Sequence, residues 1–231
     1  MQDASLESLY ADKQSFYFDG ARPDLLPFVP KSACRILDVG CGSAGFSGTL
    51  KKMLQAEVWG VEMNQAASEI ARKRLDKVYH GAFGPELDLP ENYFDTIFFN
   101  DVLEHIFYPI PILQHASTLL SKDGCVIASI PNIRNFPIVW RLVMRGEWEY
   151  KDHGILDRTH LRFYTRQTII NLFQQSSYEI LTIQGINPFY IAEPEDHKIW
   201  RRYRQIAWLI PGAHDMRYLQ FLVIAKKKIT H

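Results

Sequence analysis

Short apolar runs alternate with amphipathic segments along most of the chain. The runs have the length of buried strands, and apolar residues at helical spacing separate them. Strands are predicted over residues 35–39, 57–61, 77–80, 96–100, 124–130, 179–184 and 218–225. Helices are predicted over residues 45–54, 65–75, 109–120, 165–175 and 197–210, with Leu50, Met53 and Leu54 facing inward on the first. This alternation predicts an α/β fold with a mostly parallel sheet and right-handed crossovers.

Three segments depart from the alternation. Residues 3–18 have apolar positions at helical spacing, which predicts a cap within residues 1–30. Residues 131–164 are rich in aromatic and basic side chains and too long for a plain connection, so we expect a lid or substrate insert. Residues 200–210 are basic and aromatic, which favours a solvated helix face or a contact in a homodimer over docking on a membrane surface.

Length and charge limit the classes of function. A chain of 231 residues fits one domain, residues 1–231, and is too short for two such domains with a linker. Lys plus Arg equals Asp plus Glu at 26 each, so no overall charge attracts nucleic acid, and a neutral or small substrate is expected. The three cysteines have no spacing typical of a metal site or disulfide framework. No signal sequence or long apolar run is visible, which predicts a cytoplasmic protein without stable membrane insertion.

The segment Ile36–Gly45 contains the most specific pattern of the chain. An apolar strand runs into Gly40, Gly42 and Gly45, spaced Gly-x-Gly-x-x-Gly, and then into a predicted helix. Glycines at such a turn allow backbone N–H groups to approach a bound ligand closely. The same spacing fits a dinucleotide site, so the glycines alone do not identify the ligand.

Asp38, two residues before the first glycine, favours one ligand class. A carboxylate there would repel a pyrophosphate by several kcal/mol, on the order of 332/(εr) with ε about 20. S-adenosylmethionine has no phosphate and carries an ammonium and a sulfonium, so it reverses that balance. Two alternatives stay open: a cap for nearby backbone N–H groups, and an NAD-type oxidoreductase site.

The same residues resemble a known family. Ile36–Gly45, Val58–Glu62 and Phe94–His105 are similar to motifs of the class I S-adenosylmethionine-dependent methyltransferases. Gly154–Thr165, with the string DRTHLRFYT, resembles a signature of a subgroup often associated with surface-polysaccharide and small-metabolite modification. The resemblance implies a Rossmann-like seven-stranded sheet with helices on both faces, an antiparallel strand seven and S-adenosylmethionine as cofactor.

The resemblance also implies a set of cofactor-binding residues. Glu62 ends the second strand about 20 residues past the glycine turn, where it would bind ribose hydroxyls. Ala82 stands where the family often has Asp, and Phe83 is expected to pack on the adenine, with core filling as the alternative. The expected set is Asp38, Gly40, Cys41, Gly42, Glu62, Met63, Ala82, Phe83, Asn100 and Asp101. For Asn100 and Asp101, helix capping is the alternative role.

The expected reaction is methyl transfer to a small molecule or glycan at oxygen. An aliphatic hydroxyl benefits from a nearby base, and the candidates are His105 and His160. An orienting role for His105, and a buried network of Asp157, Arg158 and His160, are the alternatives. Substrate contacts are expected from Tyr17, Arg158 and Arg162, and Arg22 could pair with the cofactor's carboxylate. No cluster with metal-ligand spacing stands out, so no metal is predicted, and a non-catalytic cofactor-binding module stays open.

Overall fold

The computed structural model describes residues 20–228 and contains a seven-stranded sheet. Its strands are β1 (Arg35–Val39), β2 (Glu57–Glu62), β3 (Lys77–His80), β4 (Phe94–Asn100), β5 (Leu120–Pro131), β6 (Tyr178–Pro188) and β7 (Tyr218–Lys227). Their order across the sheet is β3-β2-β1-β4-β5-β7-β6. Strand β7 pairs antiparallel with both β5 and β6, and the other pairs are parallel. The predicted α/β fold and its antiparallel seventh strand are therefore confirmed.

Six α-helices connect and cover these strands in the described part of the chain. They are α1 (Gly45–Leu54), α2 (Gln65–Ala71), α3 (Pro109–Leu119), α4 (Phe136–Arg145), α5 (Arg166–Gln175) and α6 (Asp196–Ile206). The Asn64 side chain accepts from the Ala67 amide and so caps α2. Thr165 and Thr168 form a capping box at the start of α5, where the sequence predicted a helix start.

Neighbouring residues of the central strands pack into two different apolar clusters. Ile36 and Phe98 belong to a cluster with Phe46 and Leu50 of α1. The next residues of the same strands, including Leu37 and Phe99, pack into a second cluster with side chains of α3 and α5. Successive strand side chains point to opposite faces, so the sheet is covered on both sides. This sandwich leaves the carboxyl ends of β1, β2 and β4 as a shared, accessible edge.

Several predicted boundaries differ from the structure. Helix α2 ends at Ala71 and a turn follows, so the predicted helix over residues 65–75 is too long. Strands β5 and β6 begin earlier or end later than predicted because pairing with β4 and β7 extends beyond their apolar centres. Met53 was predicted to face inward, but its side chain is 50% exposed, whereas Leu50 is fully buried.

The predicted insert, residues 131–164, contains a helix that the sequence analysis did not place. Helix α4 packs Phe136 against Trp200 and Tyr203 of α6, forming a third apolar cluster beside the sheet. In the predicted amphipathic segment at residues 200–210, Arg201, Arg202 and Arg204 are exposed, as expected for a solvated face. No helix within residues 20–228 is long and apolar enough to cross a bilayer. The predicted cap helix at residues 3–18 and Tyr17 lie outside the described residues.

Two substitutions in α1 test which of its residues support the sheet. Leu50→Ala removes a fully buried side chain and should lower the free energy of unfolding by about 2–5 kcal/mol. Met53→Ala, on the exposed side of the same helix, should change it by no more than about 0.5 kcal/mol. Equilibrium urea unfolding measures both values. Equal losses for the two variants would show that the assignment of the buried face is incorrect.

Candidate cofactor and acceptor site

A cavity of about 560 Å³ lies at the carboxyl ends of β1, β2 and β4. This volume is within the range of about 300–1,000 Å³ that is common for small-molecule sites. All ten predicted cofactor residues line it: Asp38, Gly40, Cys41, Gly42, Glu62, Met63, Ala82, Phe83, Asn100 and Asp101. The two predicted base candidates, His105 and His160, line it as well. Whether each of these residues touches a ligand remains a prediction.

The glycine turn after β1 is held by the end of β2. Gly40 donates its amide to the Val61 carbonyl at 2.8 Å, and Gly42 donates its amide to Glu62 Oε2 at 2.8 Å. Gly40 has φ +70°, and a Cβ there would lie 2.7 Å from Cγ2 of Val102, so a side chain would be strained and crowded. The turn is therefore shaped before any ligand binds.

Glu62 has a second role besides the predicted contact with ribose. Its other carboxylate oxygen, Oε1, accepts the Asn64 amide at 2.7 Å. Burial raises the pKa of Glu62, and the amides of Asn64 and Gly42 oppose that shift because they stabilise the charged form. Each carboxylate oxygen can accept more than one hydrogen bond, so Glu62 retains acceptor capacity for two hydroxyls at the cavity wall.

Asp38 is buried at the end of β1. Burial raises the pKa of Asp38 to about 7, and the nearby Glu62 carboxylate adds to this shift. A cationic group in the cavity would favour the charged form of Asp38, whereas a phosphate would oppose it. The electrostatics of the folded protein therefore agree with the preference for a cationic ligand that the sequence suggested.

Ala82 and Phe83 follow β3 on the same side of the cavity. Phe83 is buried and its ring meets Phe99 edge to face, with centroids 5.7 Å apart. It also packs beside His115, at 5.3 Å between centroids. Phe83 thus lines the cavity and fills the core at the same time, so the two roles considered for it are compatible.

Asn100 is the last residue of β4 and Asp101 follows it, and their side chains differ in how well they are hydrogen-bonded. Both polar atoms of the Asn100 side chain are buried without a hydrogen-bond partner among the described residues. The Asp101 side chain accepts hydrogen bonds from Arg22 and Gln220. Arg22 also pairs with Asp24 at 3.1 Å and lines the cavity, and its pairing with a cofactor carboxylate stays a prediction. The orphaned amide of Asn100 indicates a place for ligand atoms.

His105 and His160 lie together although 55 residues separate them in sequence. Their ring centroids are 4.7 Å apart, and His160 Nε2 is 3.8 Å from Glu104 Oε1. Sequence reasoning missed Glu104, which is buried and has neither carboxylate oxygen hydrogen-bonded to a described residue. Burial raises the pKa of Glu104 well above its usual value, and the charge of Asp101 adds to the shift. The sequence offered one signal for Glu104: a carboxylate that lies directly between the apolar Leu103 and the candidate base His105.

The predicted network of Asp157, Arg158 and His160 is not formed as expected. Asp157 is buried and accepts from the amide and hydroxyl of Thr159, at 2.9 and 2.7 Å. Arg158 is 53% exposed and pairs with Asp152 at 2.8 Å instead.

Arg162 and Arg158 both lie outside the lining of the cavity. The Arg162 side chain donates to the carbonyl of Phe107 at 2.9 Å through Nε, which fixes the end of the insert to the segment after β4. The predicted contacts of these two arginines with a substrate stay a prediction.

A second cavity of about 1100 Å³ adjoins the first beneath the insert. Six of the described residues line both cavities: Arg22, Asp101, Gly154, Ile155, Leu219 and Gln220. The wall of the second cavity is rich in charged side chains that are mostly paired, including Arg141 with Asp196 and Lys151 with Glu193. The two cavities together form a space at the strand ends and a larger one beside it, whose wall combines charged and apolar side chains.

The fold and the site define a Rossmann-like α/β protein with a cofactor cavity at the carboxyl ends of its parallel strands. The sequence profile described as "Methyltransferase domain" matches residues 11–183, three quarters of the chain. The chain therefore belongs to the family of S-adenosylmethionine-dependent methyltransferases.

Individual relatives match this chain at low sequence identity and over only part of their length. The chain is 26% identical over 179 residues to the ubiquinone biosynthesis O-methyltransferase of Ruegeria sp. (strain TM1040), covering 71% of this chain and 65% of the relative. It is 30% identical over 112 residues to the ribosomal protein L11 methyltransferase of Acetivibrio thermocellus, covering 46% and 34%. The matches thus span between a third and two thirds of these relatives' length.

A solved structure supports the fold over nearly the whole chain. A SAM-dependent methyltransferase from Archaeoglobus fulgidus superposes with a TM-score of 0.66 at 16% identity, covering 98% of this chain and 100% of that one. At this identity the likeness concerns the fold alone.

The buried Asp38 predicts a pH dependence of cofactor binding. If the cofactor binds the charged form of Asp38, affinity for S-adenosylhomocysteine should fall about tenfold from pH 8 to pH 6, because a group of pKa about 7 must then lose its proton. Calorimetric titration at both pH values measures this change. In Asp38→Asn the dependence should disappear, whereas Asp123→Asn, an exposed change in β5, should retain it. A wild-type affinity independent of pH would contradict the role of Asp38.

Proposed function

We propose that this protein transfers a methyl group from S-adenosylmethionine to a hydroxyl oxygen of a small, hydroxyl-rich molecule or glycan. The observation that carries the proposal is the arrangement of two adjoining cavities. The first cavity is lined by Asp38 and Glu62 and also by the cluster of Glu104, His105 and His160. Membership of the methyltransferase family supports the cofactor and disfavours the NAD-type alternative.

The cofactor half of the site binds by charge and by shape. S-adenosylmethionine, when bound, supplies an electrophilic methyl group on a positively charged sulfur. Asp38 would hold its ammonium, Glu62 its ribose hydroxyls, and Phe83 would pack against its adenine. Because the Gly42 amide already donates a hydrogen bond to Glu62, the glycine turn and the Glu62 carboxylate need little rearrangement when the cofactor binds. The buried Asn100 amide would find in the ligand the partners that it lacks among residues 20–228.

The half of the site that would hold the methyl acceptor contains two candidate bases. His105 Nδ1 lies 3.1 Å from the Thr159 carbonyl, and His160 Nδ1 lies 2.9 Å from the Ile155 carbonyl. A carbonyl only accepts, so each Nδ1 carries a proton and each neutral ring presents Nε2 as a basic atom. A hydroxyl beside either Nε2 would lose its proton as its oxygen attacks the methyl carbon.

The second cavity supports an acceptor larger than a simple alcohol. Its size and its paired charged side chains suit a ligand with many hydroxyls, which exchange hydrogen bonds with carboxylates and guanidinium groups. Residues 131–164, which contribute to both cavities, would act as the lid over this acceptor. The ubiquinone biosynthesis O-methyltransferases among the relatives also support transfer to oxygen.

Replacing each histidine tests the acceptor half. His105→Ala and His160→Ala should each lower kcat by about 10²–10⁴-fold if both contribute, since loss of a positioned base has that magnitude. S-adenosylhomocysteine affinity should change little. His197→Ala, an exposed change on α6, is the matched control and should leave kcat unchanged. Full turnover in both site variants would show that alignment alone drives the transfer.

A screen of cofactors and acceptors tests the proposed function itself. S-adenosylhomocysteine should bind in a calorimetric titration and NAD should not. Radiolabelled methyl transfer is then measured over a panel of sugars, glycosides, phenols and amines, and product should form with hydroxyl acceptors. Cofactor binding with no transfer to any class would support the non-catalytic module, and transfer to amines alone would refute the assignment to oxygen.

A further inference from the structure

Glu104, His105 and His160 have the composition of a metal site. One potential ligand atom from each residue lies within 4.8 Å of the other two. Two imidazoles and one carboxylate form a common donor set for divalent transition metals in proteins. The sequence predicted no metal, because Glu104 and His105 are neighbours in the chain whereas His160 comes from the distant insert.

Glu104 is the member that most needs a further partner. Its side chain is 1% exposed, and both of its oxygens lack a hydrogen bond within residues 20–228. An ionised carboxylate that is buried without donors is costly unless a proton or a cation neutralises it. The carboxylates of Asp101 and Asp157 carry the same sign and increase that cost, and Arg22 offsets part of it.

The two histidines are oriented as metal ligands usually are. Each ring uses Nδ1 to donate to a backbone carbonyl, Thr159 for His105 and Ile155 for His160. This contact fixes the tautomer and leaves Nε2 as the atom with a lone pair, the arrangement found around metal-bound imidazoles. Thr159 is itself held by the buried Asp157. The orientation of His105 therefore rests on a second layer of hydrogen bonds.

We propose that Glu104, His105 and His160 bind one divalent cation through a carboxylate oxygen and two Nε2 atoms. A tetrahedral zinc site with bonds of about 2.0–2.1 Å places its ligand atoms about 3.3 Å apart. His160 Nε2 and Glu104 Oε1 are 3.8 Å apart, so small side-chain rotations bring them into range. The imidazole donors favour Zn²⁺ over Mg²⁺ and Mn²⁺, which prefer oxygen ligands.

This inference rests on the proposed function and specifies how the acceptor loses its proton. A cation at the cluster would take over the activation of the acceptor hydroxyl: it would withdraw charge from that hydroxyl and lower its pKa, and the histidines would hold the cation in place of the direct base role considered above. The O–H proton passes to a water molecule, the oxygen forms a bond to the methyl carbon, and the C–S bond breaks with its electron pair going to sulfur. The products are a methyl ether, a neutral thioether and a hydrated proton.

Direct binding measurements on the full chain test the site. The protein is stripped with a chelator and titrated with Zn²⁺ and Mg²⁺, and Co²⁺ is added separately to record its visible absorption. We expect about one equivalent of Zn²⁺, weak Mg²⁺ binding and a Co²⁺ spectrum of nitrogen and oxygen ligands. Glu104→Gln and His160→Ala should each weaken Zn²⁺ binding at least about 100-fold. His214→Ala, an exposed histidine 3.8 Å from Asp215, is the matched control and should bind as the wild type.

S-adenosylhomocysteine binding in every variant reports whether the fold is intact. Equal Zn²⁺ affinity in the wild type and Glu104→Gln, or no binding by a wild type that holds S-adenosylhomocysteine, overturns the proposal. Stoichiometric metal binding without methyl transfer to any acceptor supports this site and counts against the proposed function instead. Methyl transfer that persists undiminished after complete chelation overturns the catalytic role of the cation.

Discussion

The hydrogen bond from the Gly42 amide to the Glu62 carboxylate is the contact on which the site depends. It joins the turn after β1 to the end of β2, two segments about 20 residues apart in sequence. Parallel pairing of β1 with β2, Val39 beside Val61, brings these segments to the same edge of the sheet. Without that register, Glu62 could neither shape the glycine turn nor line the cavity beside it.

The same register gathers negative charge around the cavity. Asp38, Glu62, Asp101 and Glu104 all line it, and burial raises the pKa of each of them. Arg22 offsets part of this charge by pairing with Asp101. A cavity of this kind repels polyphosphates and attracts cations, which would account both for a positively charged methyl donor and for the metal ion proposed beside it.

Local patterns were sufficient for the sheet and for the cofactor half of the site. The glycine turn, Asp38 and Glu62 lie within 30 residues of one another, so strand-turn-helix spacing placed them correctly in the cavity. The acceptor half depends on contacts between distant segments, which spacing does not encode. Glu104 and His160 meet only because the amides of Leu161 and Arg162 bond the Glu104 carbonyl and bring the insert back to the segment after β4. The sequence pattern around Arg158 likewise does not reveal that its side chain pairs with Asp152 outside the cavity lining.

The two halves of the site differ in how completely their polar groups are satisfied. Glu62 accepts two backbone amides, so the cofactor half is already organised. Glu104, in the proposed acceptor half, and Asn100, at the end of β4, have buried polar atoms without partners among the described residues. Each such group costs about 1–3 kcal/mol of folding stability, a cost that persists only where something outside the chain offsets it. A bound ligand at Asn100 and a proton or cation at Glu104 would recover that energy. Ligand binding at these two residues would therefore also stabilise the folded protein.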